Sequence, residues 1–254
     1  MNLNYEVRGL QAAVRTDVGK VRAINEDYIF VSDPYPNGLL VAIVADGMGG
    51  HQAGEIASKT AVEVIYHEIH QIMSNNLSIE GYQLALEKAI HKANGEVYKQ
   101  SLNNDGYRGM GTTILASIIS PEWIILGHIG DSRAYLVDDN NIRQLTEDHS
   151  LVNELVKEGQ LTQEEAMTHP KKNILTRALG TEEKVKVDIC LIHWEKDQTL
   201  LLCSDGLTNH VSDEKIFEVL NQKDVSIENK TDYLLSLAID AGGEDNISII
   251  LVCH

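Results

Sequence analysis

Residues 39–58 read LLVAIVADGMGGHQAGEIAS, and this stretch indicates how the core of the 254-residue chain is built. Seven apolar residues run without interruption into Asp46, and three of the four residues after it are glycines. A run that is apolar throughout is typical of a strand covered on both faces. The apolar spacing beyond the glycines predicts a helix. We therefore expect a buried strand that ends on a carboxylate, in a loop with few side chains.

Helical and strand-like segments follow one another along the rest of the chain. Apolar residues recur with helical spacing in 53–72, 81–100 and 230–242. Strand-like runs lie at 10–16, 27–31, 39–45, 112–119, 123–129, 133–137, 142–145, 187–194, 199–203 and 247–252. The short breaks within 112–145 predict strands that pair in chain order, as a meander.

The strands that are apolar throughout predict the layering of the fold. They need cover on both faces, which a second sheet on one side and helices on the other would provide. The expected fold class is α/β (α+β), a four-layer α-β-β-α sandwich of two mainly antiparallel sheets flanked by helices. The length fits a single domain over residues 1–254.

One polar segment interrupts the series of predicted strands, and we define it as the flap, residues 148–182 approximately. It has helical spacing, and Thr162 and Glu165 stand at the separation of a capping box. Two interpretations remain open, a surface excursion and a lid over a functional site.

Composition restricts the class of protein. The formal net charge of −17 argues against a nucleic-acid partner, because phosphate backbones are bound by clustered Lys and Arg. The apolar runs are shorter than a membrane span, and no signal peptide is visible at the amino terminus. Cys190, Cys203 and Cys253 form no CxxC pair, which favours reduced thiols. We therefore expect a cytoplasmic protein.

Five aspartates stand at the ends of predicted core strands: Asp27, Asp46, Asp131, Asp205 and Asp245. Asp-Gly is also a favoured hairpin turn, and the GDS sequence around Asp131 fits a hairpin between two paired strands. The hairpin interpretation fails for Asp46 and Asp205, because a helix follows each of them. Five such positions together indicate a shared site.

Carboxylates gathered at low dielectric repel one another unless a cation lies among them. Oxygen ligands without a Cys or His cluster suit Mg²⁺ or Mn²⁺, and several aspartates can hold two ions. Such ions generate hydroxide from water and bind anionic oxygens. The glycines would let the backbone, including the Gly47 carbonyl, approach the metal.

A dinucleotide-binding loop is the competing interpretation of the same stretch. Strand, glycines and helix occur in the required order, but Gln52 stands where the fingerprint requires Gly or Ala. The Asp46 carboxylate would also repel a pyrophosphate. We therefore prefer the metal site.

Seven segments resemble the metal-dependent type-2C (PPM) serine/threonine protein phosphatases. They appear in that family's order and cover nearly the whole chain. The form DGMGGH at 46–51 is similar to that of the bacterial branch. The segments are GKVRAINED (19–27), VADGMGGHQAGEIAS (44–58), GMGTTILASII (109–119), LGHIGDSRAYL (126–136), the run from LTEDHS to RALG (145–180), LLLCSDGLT (200–208) and GGEDNISIILV (242–252).

The resemblance implies a role for each acidic residue. Asp46, with the Gly47 carbonyl, would bridge two Mn²⁺ or Mg²⁺ ions, and Asp205 and Asp245 would ligate directly. Glu26 and Asp27 would act at the metal shell, with Asp27 acting through water. Asp131, together with Asp205, would hold a third, weaker ion.

The resemblance also implies the residues that act on the substrate. Arg22 would clamp the phosphate with its planar guanidinium, although a surface ion pair is the alternative for this residue. Eukaryotic members carry a histidine directly after the DG pair, where this chain has Met48. His51 is the available substitute as the general acid that protonates the leaving alkoxide.

The function implied is hydrolysis of phosphoserine and phosphothreonine by in-line attack of a metal-bridging hydroxide on phosphorus. The expected partners are phosphorylated proteins and a cognate serine/threonine kinase, and we expect a monomer without nucleic-acid or membrane partners. The alternative is a metal-stabilised module that binds phosphoproteins without turnover. Every metal-ligand position that the resemblance implies is occupied by a suitable residue in this chain, which favours the enzyme.

Overall fold

The computed structural model describes residues 3–7, 9–50 and 53–254, and within them the chain forms twelve β-strands and seven α-helices. The strands are β1 (Leu3–Val7), β2 (Leu10–Asp17), β3 (Asp27–Val31), β4 (Leu40–Met48), β5 (Gly111–Thr112), β6 (Ile114–Ile119), β7 (Trp123–Ile129), β8 (Arg133–Val137), β9 (Ile142–Gln144), β10 (Asp188–His193), β11 (Thr199–Cys203) and β12 (Ile247–Cys253). The helices are α1 (Ala53–His70), α2 (Ile79–Asn103), α3 (Leu151–Lys157), α4 (Gln163–Thr168), α5 (Asp205–Thr208), α6 (Asp213–Leu220) and α7 (Ile227–Asp240).

The strands form two sheets. The first sheet has the order β1-β2-β12-β11-β8-β9, and the second has the order β10-β7-β6-β4-β3, with β5 paired to the end of β4. The pairings among these described strands are antiparallel. This arrangement confirms the predicted pair of antiparallel sheets.

Strand β4 shows why the opening stretch is apolar throughout. Leu40, Ala42 and Val44 point into the core between the two sheets. Val41 and Ile43 point the other way, into the core beneath α1 and α2. Because successive side chains of a strand point to opposite faces, a strand covered on both faces must be apolar at every position. Each buried Val, Leu or Ile side chain contributes about 1.5–3 kcal/mol through burial.

Helices α6 and α7 cover the outer face of the first sheet. Leu201 and Ile249 of the sheet pack in one cluster with Ile216 of α6 and Leu234 of α7. The order of layers is therefore helices, sheet, sheet and helices, as the apolar strands predict.

The predicted meander is wrong at one break. Strands β6 and β7 pair, and β8 and β9 pair, but β7 and β8 belong to different sheets. The short segment 130–132 therefore crosses from one sheet to the other and is not a hairpin turn. A short break requires only that the strand ends be neighbours, and the facing ends of two stacked sheets satisfy this as well as a hairpin does.

The flap lies between β9 and β10 and contains α3 and α4. The capping box at the start of α4 is confirmed, with Thr162 N–H donating to Glu165 Oε2 at 2.8 Å and Glu165 N–H donating to Thr162 Oγ1 at 3.2 Å. The two ends of the flap meet where Leu151 N–H donates to the Ile174 carbonyl oxygen at 2.8 Å.

Two composition-based predictions can be compared with the fold. The three cysteines lie in the described part of the chain, and all are free thiols. Among the helices described, none is both long and apolar enough to cross a membrane.

Candidate active site

The ends of strands from both sheets bring the predicted carboxylates together. Asp27 and Asp46 face each other in the register of β3 and β4. Asp205 stands one residue beyond β11 as the first residue of α5, and Asp245 precedes β12, the neighbour of β11. Asp131 lies in the crossing between the sheets, so the hairpin interpretation of this residue is wrong.

The electrostatics show that these side chains form one cluster. Burial raises the pKa of Asp46 well above its usual range, and the charges of the other four aspartates add to this effect. Burial is also the main reason why the pKa values of Asp27, Asp131 and Asp205 are raised. Raised carboxyl pKa values mean that the site disfavours its own negative charge, and a bound cation reverses that preference.

Three buried carboxylate oxygens show where a cation fits. Glu26 Oε1, Asp27 Oδ1 and Asp205 Oδ1 meet no hydrogen-bond partner within the described residues. Buried polar atoms are rarely left unpaired, because each lost contact costs free energy. The donor set is entirely oxygen, which suits Mg²⁺ or Mn²⁺.

The spacing of the side chains bears on the kind of ion. Among the described residues, no group of three or more His, Cys, Asp or Glu side chains is arranged so that it could hold a metal ion by itself. The electrostatic coupling and the unpaired oxygens nevertheless place acidic groups around a common region. Mg²⁺ usually retains several water ligands and takes only one or two carboxylates, so it does not require three protein side chains around it.

Asp27 also connects the two sheets. Its Oδ2 accepts a hydrogen bond from Ser204 Oγ at 2.8 Å, and Ser204 Oγ accepts one from Ser248 N–H at 3.0 Å. Ser204 and Ser248 lie at the site end of the first sheet, whereas Asp27 begins a strand of the second. These buried contacts hold the ends of the two sheets together at the carboxylate cluster.

Asn246 supports the site and was missed by sequence reasoning. Its Oδ1 accepts from Glu26 N–H at 2.8 Å, and its Nδ2 donates to the Val18 and Ile24 carbonyl oxygens at 3.0 Å each. The side chain is buried and holds the loop before β3 against the start of β12. A polar amide between Asp245 and an apolar strand was the only signal in the sequence.

Thr113 is a second support that the sequence did not reveal. Asp46 N–H donates to Thr113 Oγ1 at 2.9 Å, and Thr113 N–H donates to the Asp46 carbonyl oxygen at 2.8 Å. Thr113 Oγ1 also lies 2.7 Å from Ser132 Oγ. This residue therefore links the backbone of Asp46 to the crossing that carries Asp131.

Gly47 is required by close backbone packing. A Cβ at this position would lie 2.2 Å from the Gly54 carbonyl oxygen and 2.6 Å from the Glu26 carbonyl oxygen. Gly47 N–H donates to the same Glu26 oxygen at 3.1 Å. The glycine thus lets the loop before β3 and the start of α1 meet at Asp46. The metal contact of the Gly47 carbonyl stays a prediction.

Arg22 lies at the edge of the cluster. Its Nη2 donates to Asp245 Oδ2 at 2.8 Å, and 48% of the Arg22 side chain is exposed. The alternative of an ion pair is therefore realised, but the partner is a predicted metal ligand and the guanidinium is beside the carboxylates. Phosphate binding by Arg22 stays a prediction.

The predicted general acid cannot be placed. His51 and Gln52 lie outside the described residues. Met48, which occupies the position where eukaryotic members carry histidine, ends β4 and pairs with Gly111 of β5. The role of His51 stays a prediction.

A cleft of about 640 Å³ leads away from the carboxylates. Asp131 and Asp205, which belong to the carboxylate cluster, are among its lining residues. The flap forms one wall, with Val152, Val156 and Met167, and the segment 208–214 forms another. The flap therefore borders a space that is continuous with the candidate site.

Similarity to known proteins agrees with this geometry. Residues 20–237 match a model of the family described as Protein phosphatase 2C. The chain is 43% identical over 243 residues to the serine/threonine phosphatase stp of Listeria monocytogenes serotype 4b, covering 96% of this chain and 95% of the relative.

Solved structures show the same likeness. The S. agalactiae serine/threonine phosphatase superposes with a TM-score of 0.89 at 39% identity, covering 96% of this chain and 99% of that one. The catalytic domain of the serine/threonine protein phosphatase PstP, in complex with two manganese ions, gives a TM-score of 0.83 at 33% identity, covering 96% and 98%. The chain therefore belongs to the protein phosphatase 2C family.

Proposed function

We propose that this chain is a metal-dependent serine/threonine protein phosphatase that hydrolyses phosphoserine and phosphothreonine in proteins. The observation that carries the proposal is the cluster of five aspartates, in which buried oxygens of Asp27 and Asp205 lack partners among the described residues. Family membership supports catalysis over a non-catalytic phosphoprotein-binding module, and the relative from Listeria is named a serine/threonine phosphatase.

The metal assignment is the one that the resemblance to the family implies, and the clustering of the carboxylates supports it. Asp46, with the Gly47 carbonyl, would hold two ions between them, and Asp205 and Asp245 would ligate directly. Glu26 and Asp27 would act at the metal shell, Asp27 through water, and Asp131 with Asp205 would hold a third, weaker ion. The two manganese ions of the PstP structure support Mn²⁺ as the metal, with Mg²⁺ as the alternative.

Divalent ions at such a site neutralise phosphoryl oxygens and acidify the attacking water. The protein itself must orient the phosphate and supply a proton to the leaving oxygen. Arg22 performs the first task. Its present partner is Asp245, and if that carboxylate held a cation the ion pair would weaken and the guanidinium would be available to phosphate. His51 performs the second task as general acid.

The flap, residues 148–182, acts as a lid that contacts the peptide around the phosphorylated residue. The cleft between the flap and segment 208–214 supports this role, because it opens at Asp131 and Asp205. A phosphopeptide would extend into the cleft, whereas a small aryl phosphate needs only the metal site.

The partners proposed are phosphorylated proteins and the serine/threonine kinase that produces them. A monomer suffices for this function, since the described chain supplies every proposed metal ligand itself. The cytoplasm is the proposed location, where a cognate kinase and its substrates would be found.

A phosphothreonine-peptide assay tests the proposal. Turnover should require Mn²⁺ or Mg²⁺ and stop in excess chelator. Turnover that persists in chelator would refute the metal mechanism. Tight binding of phosphopeptide and Mn²⁺ without phosphate release would establish the non-catalytic module instead.

A further inference from the structure

His149 makes two hydrogen bonds to the residue that precedes Asp131. Its backbone N–H donates to the Gly130 carbonyl oxygen at 2.8 Å, and Gly130 N–H donates to His149 Nδ1 at 3.0 Å. The histidine is 95% buried, with 5% of its surface exposed. Its ring therefore accepts from the backbone at the crossing between the two sheets.

The other ring nitrogen faces a carboxylate. Because Nδ1 accepts a hydrogen bond, the ring proton lies on Nε2 and is donated to Asp188 Oδ2 at 2.9 Å. Asp188 Oδ1 accepts from Arg177 Nη1 at 3.2 Å, which fixes the carboxylate from its other side. Burial lowers the pKa of His149, in keeping with the neutral ring that this pattern requires.

His149 also stands where the two ends of the flap meet. Its carbonyl oxygen accepts from Thr176 N–H at 2.9 Å, and the next residue, Ser150, forms an antiparallel bridge with Leu175. His149 thus connects the start of the flap both to the end of the flap and to the crossing at 130–132.

The backbone of the crossing at 130–132 is tightly packed, and contacts on both sides of Asp131 hold it in place. Gly130 has a φ of +110°, and a Cβ there would lie 2.6 Å from Thr113 Cγ2. On the far side of Asp131, Ser132 Oγ is fixed by Thr113 Oγ1 at 2.7 Å. His149 supplies the matching contact on the near side.

We propose that His149 is a positioning residue that orients the Asp131 carboxylate by holding Gly130 against the base of the flap. The proposal rests on the proposed function, in which Asp131 and Asp205 hold the weaker metal ion. Contacts behind a metal ligand fix its direction, and losing one typically lowers metal affinity ~10- to 100-fold.

Two substitutions of similar size separate the contacts of the ring. His149→Asn places an amide oxygen near the Nδ1 position and retains an acceptor for Gly130 N–H. His149→Gln places its amide near the Nε2 position and retains the contact with Asp188. The control is Thr231→Val, which removes a buried hydrogen bond from Thr231 Oγ1 to the Ile227 carbonyl oxygen in α7.

Mn²⁺ titration calorimetry of the metal-free proteins gives the readout, with Asp131→Asn as the reference. We expect His149→Gln to weaken the low-affinity Mn²⁺ site about tenfold or more, as Asp131→Asn does. His149→Asn should remain within a few-fold of wild type, and Thr231→Val should equal wild type. The tight sites should be unchanged in all four variants.

Equal weak-site affinities for His149→Asn and His149→Gln would overturn the inference, and so would the reverse order. If Asp131→Asn itself leaves Mn²⁺ binding unchanged, the assignment of Asp131 to a metal fails, and the inference fails with it. Loss of the weak site in Asp131→Asn alone would uphold the assignment and refute only the role of His149.

Discussion

The carboxylate cluster and the flap border the same cleft but are built in opposite ways. Asp27 and Asp46 lie on paired strands of a sheet, and Asp46 follows a run of β4, residues 40–45, that is buried at every position. The flap contains two short helices, in which Val152 and Ala166 are the buried residues, each with 8% of its surface exposed. Under the proposed function, the difference suits two separate tasks, in which the sheets fix the proposed metal ligands and the flap adapts to the peptide.

Local stability should follow the same division. Segments with few buried apolar contacts open more easily than core strands, and recognition elements are often drawn from them. A substitution at a strand end should therefore change hydrolysis of every substrate. A substitution in the flap should change only the turnover of large substrates.

The largest effect is expected for Asp205→Asn, because under the proposed assignment this substitution removes a charge from two metal sites at once. A loss of ~4 kcal/mol in transition-state stabilisation corresponds to ~10³-fold in kcat, and the metals supply several kcal/mol. Both phosphopeptide and aryl phosphate should be affected equally. Asp139→Asn, an exposed residue in the turn after β8, is the matched control. Substantial activity in Asp205→Asn would contradict the metal assignment.

His51→Ala should separate substrates by their leaving group. A serine or threonine alkoxide is strongly basic and requires a proton, whereas an aryl oxide hardly does. General acid catalysis typically contributes ~10²–10⁴-fold, so kcat on a phosphothreonine peptide should fall by that amount and aryl phosphate turnover only slightly. An equal loss on both substrates would mean that His51 positions the loop and donates no proton.

Arg22→Ala should raise KM more than it lowers kcat, because a phosphate clamp contributes mainly ground-state binding. We expect kcat/KM to fall about tenfold, near the low end for charge-assisted hydrogen bonds, because the side chain is half exposed. Lys20→Ala is the control, since Lys20 lies on the same loop and pairs weakly with Asp240 at 3.9 Å. Kinetics equal to wild type would leave Arg22 as the partner of Asp245 alone.

The smallest effect is expected in the flap. Thr162→Ala removes the capping box of α4, which costs ~0.5–2 kcal/mol of local helix stability. Phosphoprotein turnover should fall a few-fold while aryl phosphate turnover stays unchanged. Thr208→Ala, in α5 on the opposite wall of the cleft, provides a comparison. Equal losses on both substrates would indicate general structural damage.

The sequence predicted the layers of the fold because apolar periodicity is a local signal. The runs at 39–45 and 200–203 are apolar at every position, and both strands are covered on two faces. Strand partners are a long-range property, which is why the crossing at 130–132 was taken for a possible hairpin. The sequence distance between β7 and β8 is the same in either arrangement.

The acidic residues of the site were predictable for a related reason. Each aspartate stands next to a strand, so the alignment of strand ends brings them together. Asn246 and Thr113 were not predictable, because their roles depend on hydrogen bonds to backbone atoms that are distant in sequence. Only the paired sheets bring those atoms within reach.

Proton linkage connects the carboxylate cluster to the stability of the fold. Burial raises the pKa of Asp27 from 3.8 to about 7 and raises that of Asp46 as well. A carboxyl group whose pKa is higher in the folded than in the unfolded protein contributes its full stabilisation of the fold at pH values below the unfolded pKa. That contribution is lost as the pH rises through the folded pKa. As the pH rises from about 4 to 7 or above, the free energy of unfolding of the metal-free protein should therefore fall relative to that of a variant that lacks one of these carboxylates.

The most direct test of the account compares urea unfolding of wild type and Asp46→Asn from pH 5 to pH 8, in chelator and in Mn²⁺. In chelator, the free energy of unfolding of wild type should fall relative to Asp46→Asn as pH rises. In Mn²⁺ the order should reverse, with wild type gaining stability that Asp46→Asn does not. If the difference between the two proteins is independent of both pH and Mn²⁺, these aspartates do not form a cation site, and the central claim is contradicted.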